Sequence, residues 1–340
     1  MVKVQVGVIG CGSIAKNRHF PEYEAHQETD IVAVCDIAQD RANAAAQRYD
    51  AKAYTDYIEL LKNKDIDVVS VCTPNYLHAP ITIAALEAGK HVLCEKPMAT
   101  SLEDAEKMNE AAIKSGKILM IGHNQRFVPS HQKAKKLIES GELGKIYSFR
   151  TAFGHSGPET WSVDGENSWF FKKDQAVIGA MGDLGVHKAD LLRYVLGEEF
   201  VEVGAFVETS AKQQADVDDS AACILRTGSG IIGTLTASWS YAKEDNATVI
   251  YAEKAVLRLE DDPKYSLIIH HKNGKTETFE LGGIQTNDSG GQHDTGVISH
   301  FIKSVVNNEE PLVTGIEGLQ SLKVILGAME SNASRQIVRL

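Results

Sequence analysis

The sequence predicts an α/β protein in two parts: a doubly wound parallel sheet over residues 1–123, and an α+β domain with a large, mainly antiparallel sheet over 124–340. Three observations predict it. A chain of 340 residues exceeds the length at which a single core usually stops growing, about 250 to 300 residues. From Val2 to Gly122 apolar strands alternate with helical stretches, the pattern of right-handed strand-helix-strand crossovers. Beyond Phe200 short strands follow one another at hairpin spacing.

The opening stretch, VKVQVGVIGCGSIA, reads as a buried parallel strand that turns sharply into a helix near Ser13. Gly10 suits a backbone angle closed to side chains, Gly12 leaves room for a pyrophosphate, and small Ala15 lets helix and strand pack closely. Phosphate oxygens would then face the N–H groups around Ser13 and Ile14 and the positive end of the helix dipole. The next strand, IVAVCD, ends at Asp36, about 20 residues on, where a carboxylate could hold an adenosine ribose. Arg41, in the first turn of a helix from Gln39 to Tyr49, either reaches back toward adenine and ribose or lies solvated on the surface.

Val68 to Cys72, apolar almost throughout, needs cover on both faces and delivers Thr73, Pro74 and Asn75, with His78 close behind, to the carboxyl edge of the sheet. Doubly wound sheets hold ligands at that edge, although a plain turn and helix cap is the alternative. HVLC brings Glu95, Lys96 and Pro97 to the same edge. Lys96, partly desolvated there, can orient or deprotonate a substrate hydroxyl. Ser101 offers an N-cap for a helix to Ser115, and Lys117 to Ile121 supplies a sixth strand.

After a helix from Pro129 to Ser140 and a strand from Ile146 to Phe153 comes a long irregular stretch, His155 to Ile178, carrying Trp161 and Trp169. Loops of that length usually serve function, so His155 and Trp161 are candidate substrate contacts and Trp169 a candidate neighbour of the nicotinamide; a loop packed for its own stability is the alternative. Met181 to Gly197 reads as a helix with Leu184, Leu191, Leu192 and Val195 inward. Asp183, His187 and Asp190 stand at i, i+4 and i+7 on one side, where a carboxylate can fix the imidazole tautomer. That arrangement suits general acid–base work or a structurally satisfied histidine, and with no Cys or second His at ligand spacing no metal is expected. The strands beyond Phe200 need cover on both faces: the two helices supply one, and alternating Ile, Leu and Thr on the other imply a partner subunit. Gly282 to Gly291 is expected to be a flexible loop, and helices from Gly296 to Asn307 and Ile316 to Ser334 close the chain, the last able to pack back on the first domain.

A net charge of −11 and a pI near 5.6 argue against nucleic-acid and anionic-membrane partners. No apolar run is long enough to span a bilayer and no signal segment opens the chain, so a cytoplasmic protein is expected. Cys11, Cys35, Cys72, Cys94 and Cys223 form no C-x-x-C pair and read as buried reduced thiols.

Gly10-Cys11-Gly12-Ser13-Ile14-Ala15, Thr73-Pro74-Asn75 with His78, Glu95-Lys96-Pro97, and Gly182-Asp183-Leu184-Gly185-Val186-His187 with Asp190 occur in this order along the chain. Together they resemble the superfamily of NAD(P)-dependent enzymes that includes glucose-fructose oxidoreductase, inositol dehydrogenase and rhizopine-catabolism proteins. The resemblance implies a Rossmann-type nucleotide domain and an open-faced sheet domain that assembles into homodimers or homotetramers. It implies hydride transfer between NAD, or NADP, and a secondary hydroxyl of a sugar, inositol or other polyol. Lys96 would contact that hydroxyl and assist proton transfer, Asp183 and His187 would position the alcohol and accept its proton, and Asp190 would lie near the substrate. Asn124 and Arg126 would run beneath the nicotinamide. Asp36 would repel a 2′-phosphate and favour NAD, while Arg41 leaves NADP open. An NAD-dependent glycosidase working by transient oxidation, and a dinucleotide-binding sugar sensor without turnover, are the competing functions.

Overall fold

The computed structural model describes residues 3–286 and 292–340. Val2 and residues 287–291 of the expected Gly-rich loop lie outside the described residues. The chain groups into two compact units, one of 1–123, 161–169 and 285–319, the other of 124–160, 170–284 and 320–340. Two stretches downstream of residue 123 thus group with the first unit, and helix Gly315–Ser334 crosses the division.

The first unit holds six parallel strands: β1 (Val4–Ile9), β2 (Thr29–Cys35), β3 (Lys52–Tyr54), β4 (Val68–Val71), β5 (His91–Cys94) and β6 (Leu119–Ile121). Their order is β3-β2-β1-β4-β5-β6. The central strands are apolar on both faces because helices cover both, and Val6, Val8, Val68, Val69 and Val71 are fully buried. Strand order reverses between β1 and β4, which opens a crevice at their carboxyl ends. Helix Leu102–Ser115 begins where Ser101 Oγ accepts the Asp104 N–H at 3.1 Å and ends at left-handed Gly116.

The second unit is built on nine strands: β7 (Ile146–Gly154), β8 (Phe200–Glu208), β9 (Ser220–Thr227), β10 (Ile232–Ser238), β11 (Thr248–Ala252), β12 (Ala255–Leu259), β13 (Leu267–His271), β14 (Thr276–Phe279) and β15 (Val338–Arg339). Their order is β14-β13-β12-β11-β7-β10-β9-β8-β15. All neighbours are antiparallel except β7 and β10, which run parallel. Alternation is clean: Val203, Val207, Cys223, Leu225, Leu235 and Ala237 are buried on one face. On the other, Phe206, Ile224 and Ile232 are 69%, 65% and 47% exposed, so this face of the sheet is open. The five cysteines are buried and free. Among the described residues no helix is long and apolar enough to cross a membrane.

Candidate active site

The glycine turn is built as its residues require. Gly10 has φ +95°, and a Cβ there would stand 2.5 Å from the Cys72 carbonyl oxygen, so only glycine lets β1 and β4 diverge at this point. A Cβ on Gly12 would meet no protein atom within 4 Å; its surroundings are open. The helix begins at Ser13, as expected, but runs as a π-helix over Ala15–His19 before Phe20–Ala25. Asp36, at the end of β2, is held in place by two backbone donors: the Cys11 N–H reaches Oδ2 and the Ala38 N–H reaches Oδ1, both at 2.9 Å.

Arg41 is partly exposed and partnered, its guanidinium pairing with Asp164 at 2.8 Å. Ser13 is also engaged, donating from Oγ to the Trp161 carbonyl at 3.2 Å and accepting the Val163 N–H at 3.0 Å. Part of the stretch expected to be irregular is therefore bonded to the glycine turn. It is also more ordered than expected, with short 3-10 turns at Pro158–Thr160, Gly165–Asn167 and Trp169–Phe171. Trp161 and Trp169 are half-buried, and His155 is buried with Nδ1 accepting the Gly157 N–H at 2.9 Å.

At the ends of β4 and β5 the expected contacts divide. Thr73 Oγ1 is shielded from water and has no hydrogen-bond partner in the protein, Pro74 precedes the 3-10 turn Asn75–Leu77, and Asn75 is buried. The ring nitrogens of His78 face the Thr73 and Pro97 carbonyl oxygens at 2.8 and 2.7 Å, so it braces two loops. Glu95 is engaged likewise. Its carboxylate turns inward to an ion pair with Arg18 and a 2.9 Å contact with His19 Nε2. Burial beside Arg18 keeps the His19 pKa well below its usual value, so neutral His19 donates from Nε2 to Glu95 and accepts the Ser70 hydroxyl at Nδ1, 3.1 Å away. Tyr23 then donates to Ser70 Oγ at 2.8 Å. This buried chain ties Glu95 to the helix after the glycine turn and leaves Lys96, half-buried before a cis-proline, as the side chain at the tip of β5.

In the second unit the expected helix opens with a π-helical turn, Met181–Gly185, that runs into Val186–Leu196. Asp183 Oδ2 accepts the indole N–H of fully buried Trp239 at 3.1 Å. The His187 ring lies 5.7 Å from the Phe153 ring, tilted 52°. Asp190, expected near the substrate, and Arg126, expected beneath the nicotinamide, bind each other. Asp190 is wholly buried, gripping Arg126 Nε and Nη2 at 2.8 and 2.7 Å and accepting from Ser321 Oγ at 2.9 Å. Asn124 and Arg126 lie in a buried 3-10 turn, Asn124–Phe127. Beside His187, Lys188 is fully buried, donates to the Asn246 carbonyl at 2.7 Å, and has its pKa pushed down by burial to about 8. Among the described residues no cluster of His, Cys, Asp and Glu could hold a metal ion.

Comparison with known proteins follows this division. A family described as "Oxidoreductase family, NAD-binding Rossmann fold" matches residues 4–123, and the "GFO/IDH/MocA C-terminal domain" matches 131–258. Levoglucosan dehydrogenase of Pseudarthrobacter phenanthrenivorans is 33% identical over 271 residues, 70% of this chain and 68% of that protein. The chain belongs to the Gfo/Idh/MocA family of oxidoreductases. Myo-inositol 2-dehydrogenase of Thermotoga maritima, another relative of this Gfo/Idh/MocA protein, is 27% identical over 346 residues, 99% of this chain and 98% of that one. A solved levoglucosan dehydrogenase in complex with NADH superposes with TM-score 0.87 at 26% identity over 99% of each chain.

As a Gfo/Idh/MocA member the protein is an NAD-binding oxidoreductase, and its cradle fits that cofactor. Open space at Gly12, the unpartnered Thr73 Oγ1 and a carboxylate fixed at Asp36 are features of the kind that pyrophosphate and ribose require. Arg18, His19, Asp164, Lys188 and Trp239 escaped the sequence reading. Their partners are remote in the chain, and their immediate sequence neighbours did not mark them.

Proposed function

We propose that this enzyme moves a hydride reversibly between NAD and a secondary hydroxyl of a cyclic sugar, inositol or related polyol. The observation that carries the reading is the match, across both family regions, to relatives named for levoglucosan and myo-inositol, both ring-shaped polyols. With its pyrophosphate held at the glycine turn, a bound dinucleotide would supply the nicotinamide as hydride acceptor, or as donor in reverse. Lys96 orients the reacting hydroxyl, and His187 takes its proton as the C–H bond opens. Asp183, steadied by the Trp239 N–H, offsets the charge that His187 then carries. His155 contributes to substrate contacts. The open sheet face bearing Phe206, Ile224 and Ile232 suits a second copy of the chain, so we assign a cytoplasmic homodimer or homotetramer.

NADH formation across a panel of inositols, aldoses, anhydrosugars and glucosides tests this. At least one cyclic polyol is expected to be oxidised with stoichiometric NADH. Release of an aglycone with no accumulating NADH would replace the dehydrogenase with a glycosidase.

A further inference from the structure

We propose that residues 161–169 form a strap over the adenosine end of the bound dinucleotide, latched by Asp164 to Arg41, and that this latch withholds Arg41 from a 2′-phosphate. The inference rests on the NAD reading above and deepens it. The strap is contiguous in space with the nucleotide cradle in the first unit, although 37 residues separate it in sequence from the end of that unit's first segment at His123. It touches the cradle at two places. Ser13, at the start of the phosphate-facing helix, holds the strap backbone on both sides of Ser162. Arg41, in the first turn of helix Gln39–Tyr49 just past Asp36, holds its acidic tip.

The strap is braced from within, so Asp164 is presented rather than trailing. Ser162 and Ser168 hydroxyls meet at 2.8 Å, and the Gly165, Asn167 and Ser168 N–H groups donate to the Ser162, Asp164 and Gly165 carbonyls at 3.0–3.1 Å. The Arg41 and Asp164 side chains are each about one-third exposed, 35% and 34%, so the pair is partly shielded from screening.

An arginine just past the second strand is the usual partner of a 2′-phosphate, and an acidic residue at the strand end is the usual partner of a free 2′-hydroxyl. Here both are present, and the arginine alone would blur the choice. Asp164 resolves it: a 2′-phosphate would meet the Asp36 carboxylate with the Arg41 guanidinium already paired.

The experiment is a double-mutant cycle read by binding rather than turnover. Dissociation constants for NAD and NADP are measured by fluorescence titration on the wild type, Asp164→Asn, Arg41→Ala and the double variant, with Asp164→Ala as a second removal of the charge. In Asp164→Asn, NADP affinity is expected to rise by roughly two- to fivefold while NAD changes less, and in the Arg41→Ala background the rise should vanish. An unchanged NADP-to-NAD ratio in both Asp164 variants, or an equal shift with Arg41 absent, overturns the latch. If the wild type binds neither nucleotide, it is the cofactor reading beneath it that fails.

Discussion

Arg126 and Asp190 are joined by two parallel hydrogen bonds, at 2.8 and 2.7 Å, with side chains 4% and 1% exposed. Ser321 donates to the same carboxylate at 2.9 Å. Removing one member of such a pair strands a buried charge, which typically costs about 3–5 kcal/mol. Asp190→Ala is therefore expected to lower the urea midpoint sharply. A residue that served substrate alone would leave that midpoint where it is.

Gly10 and Gly12 should part company on substitution. Gly10→Ala forces a side chain into a left-handed angle and against the Cys72 carbonyl, so stability should fall by at least about 1 kcal/mol. Gly12→Ala meets no protein atom, so stability should stay within about 0.5 kcal/mol while NAD binding weakens by about tenfold or more. Thermal melts with and without NAD separate the two, and equal destabilisation of both apo-proteins would refute the assignment.

Lys96→Ala should reduce turnover by about 10²- to 10⁴-fold, the range of a lost proton-transfer group, with NAD affinity changed only a few-fold. Trp239→Phe keeps an aromatic ring but loses the pyrrole half of the indole with its N–H to Asp183, so about a tenfold loss in kcat is expected with little effect on NAD binding. Full turnover in Lys96→Ala on every oxidised polyol would remove the proposed role.

Lys188 and His131 make stability depend on pH in one direction. Lys188 is faced by Glu260, Asp245, Glu244 and His131, and burial outweighs the three carboxylates to bring its pKa from 10.5 to about 8. Between these values the unfolded chain holds a proton that the folded chain has released, so this group makes stability rise as pH climbs from about 8 to 10.5. His131, lowered by burial from 6.5 to about 3, makes stability fall as pH drops across that interval. Lys188→Met should flatten the alkaline slope in urea titrations, and an unaltered slope would contradict it.

Much of the fold was legible because its signals are local. Continuous apolar runs required two-sided cover, alternating runs required one-sided cover, and Gly10 announced a positive φ. The helix bearing Asp183, His187 and Asp190 was equally plain, except that its first turn is π-helical. The parallel pairing of β7 with β10 and the two-residue edge strand β15 were not, because neither leaves a periodic trace in composition.

The candidate site divides along the same line. Glu95, His78, Arg126 and Asp190 were visible as polar residues at suggestive places, yet their side chains are committed inward. Each partner is chosen by where distant segments meet: Asp183 and Trp239 are 56 residues apart, and Arg41 and Asp164 are 123 apart. Chain order by itself determined the two sheets, the phosphate turn and the residue types available for proton transfer, since backbone angles and periodic burial act over a few residues. Only tertiary structure decided which charges face a ligand and which neutralise one another, because a buried ion must find its counter-ion wherever packing brings one within reach.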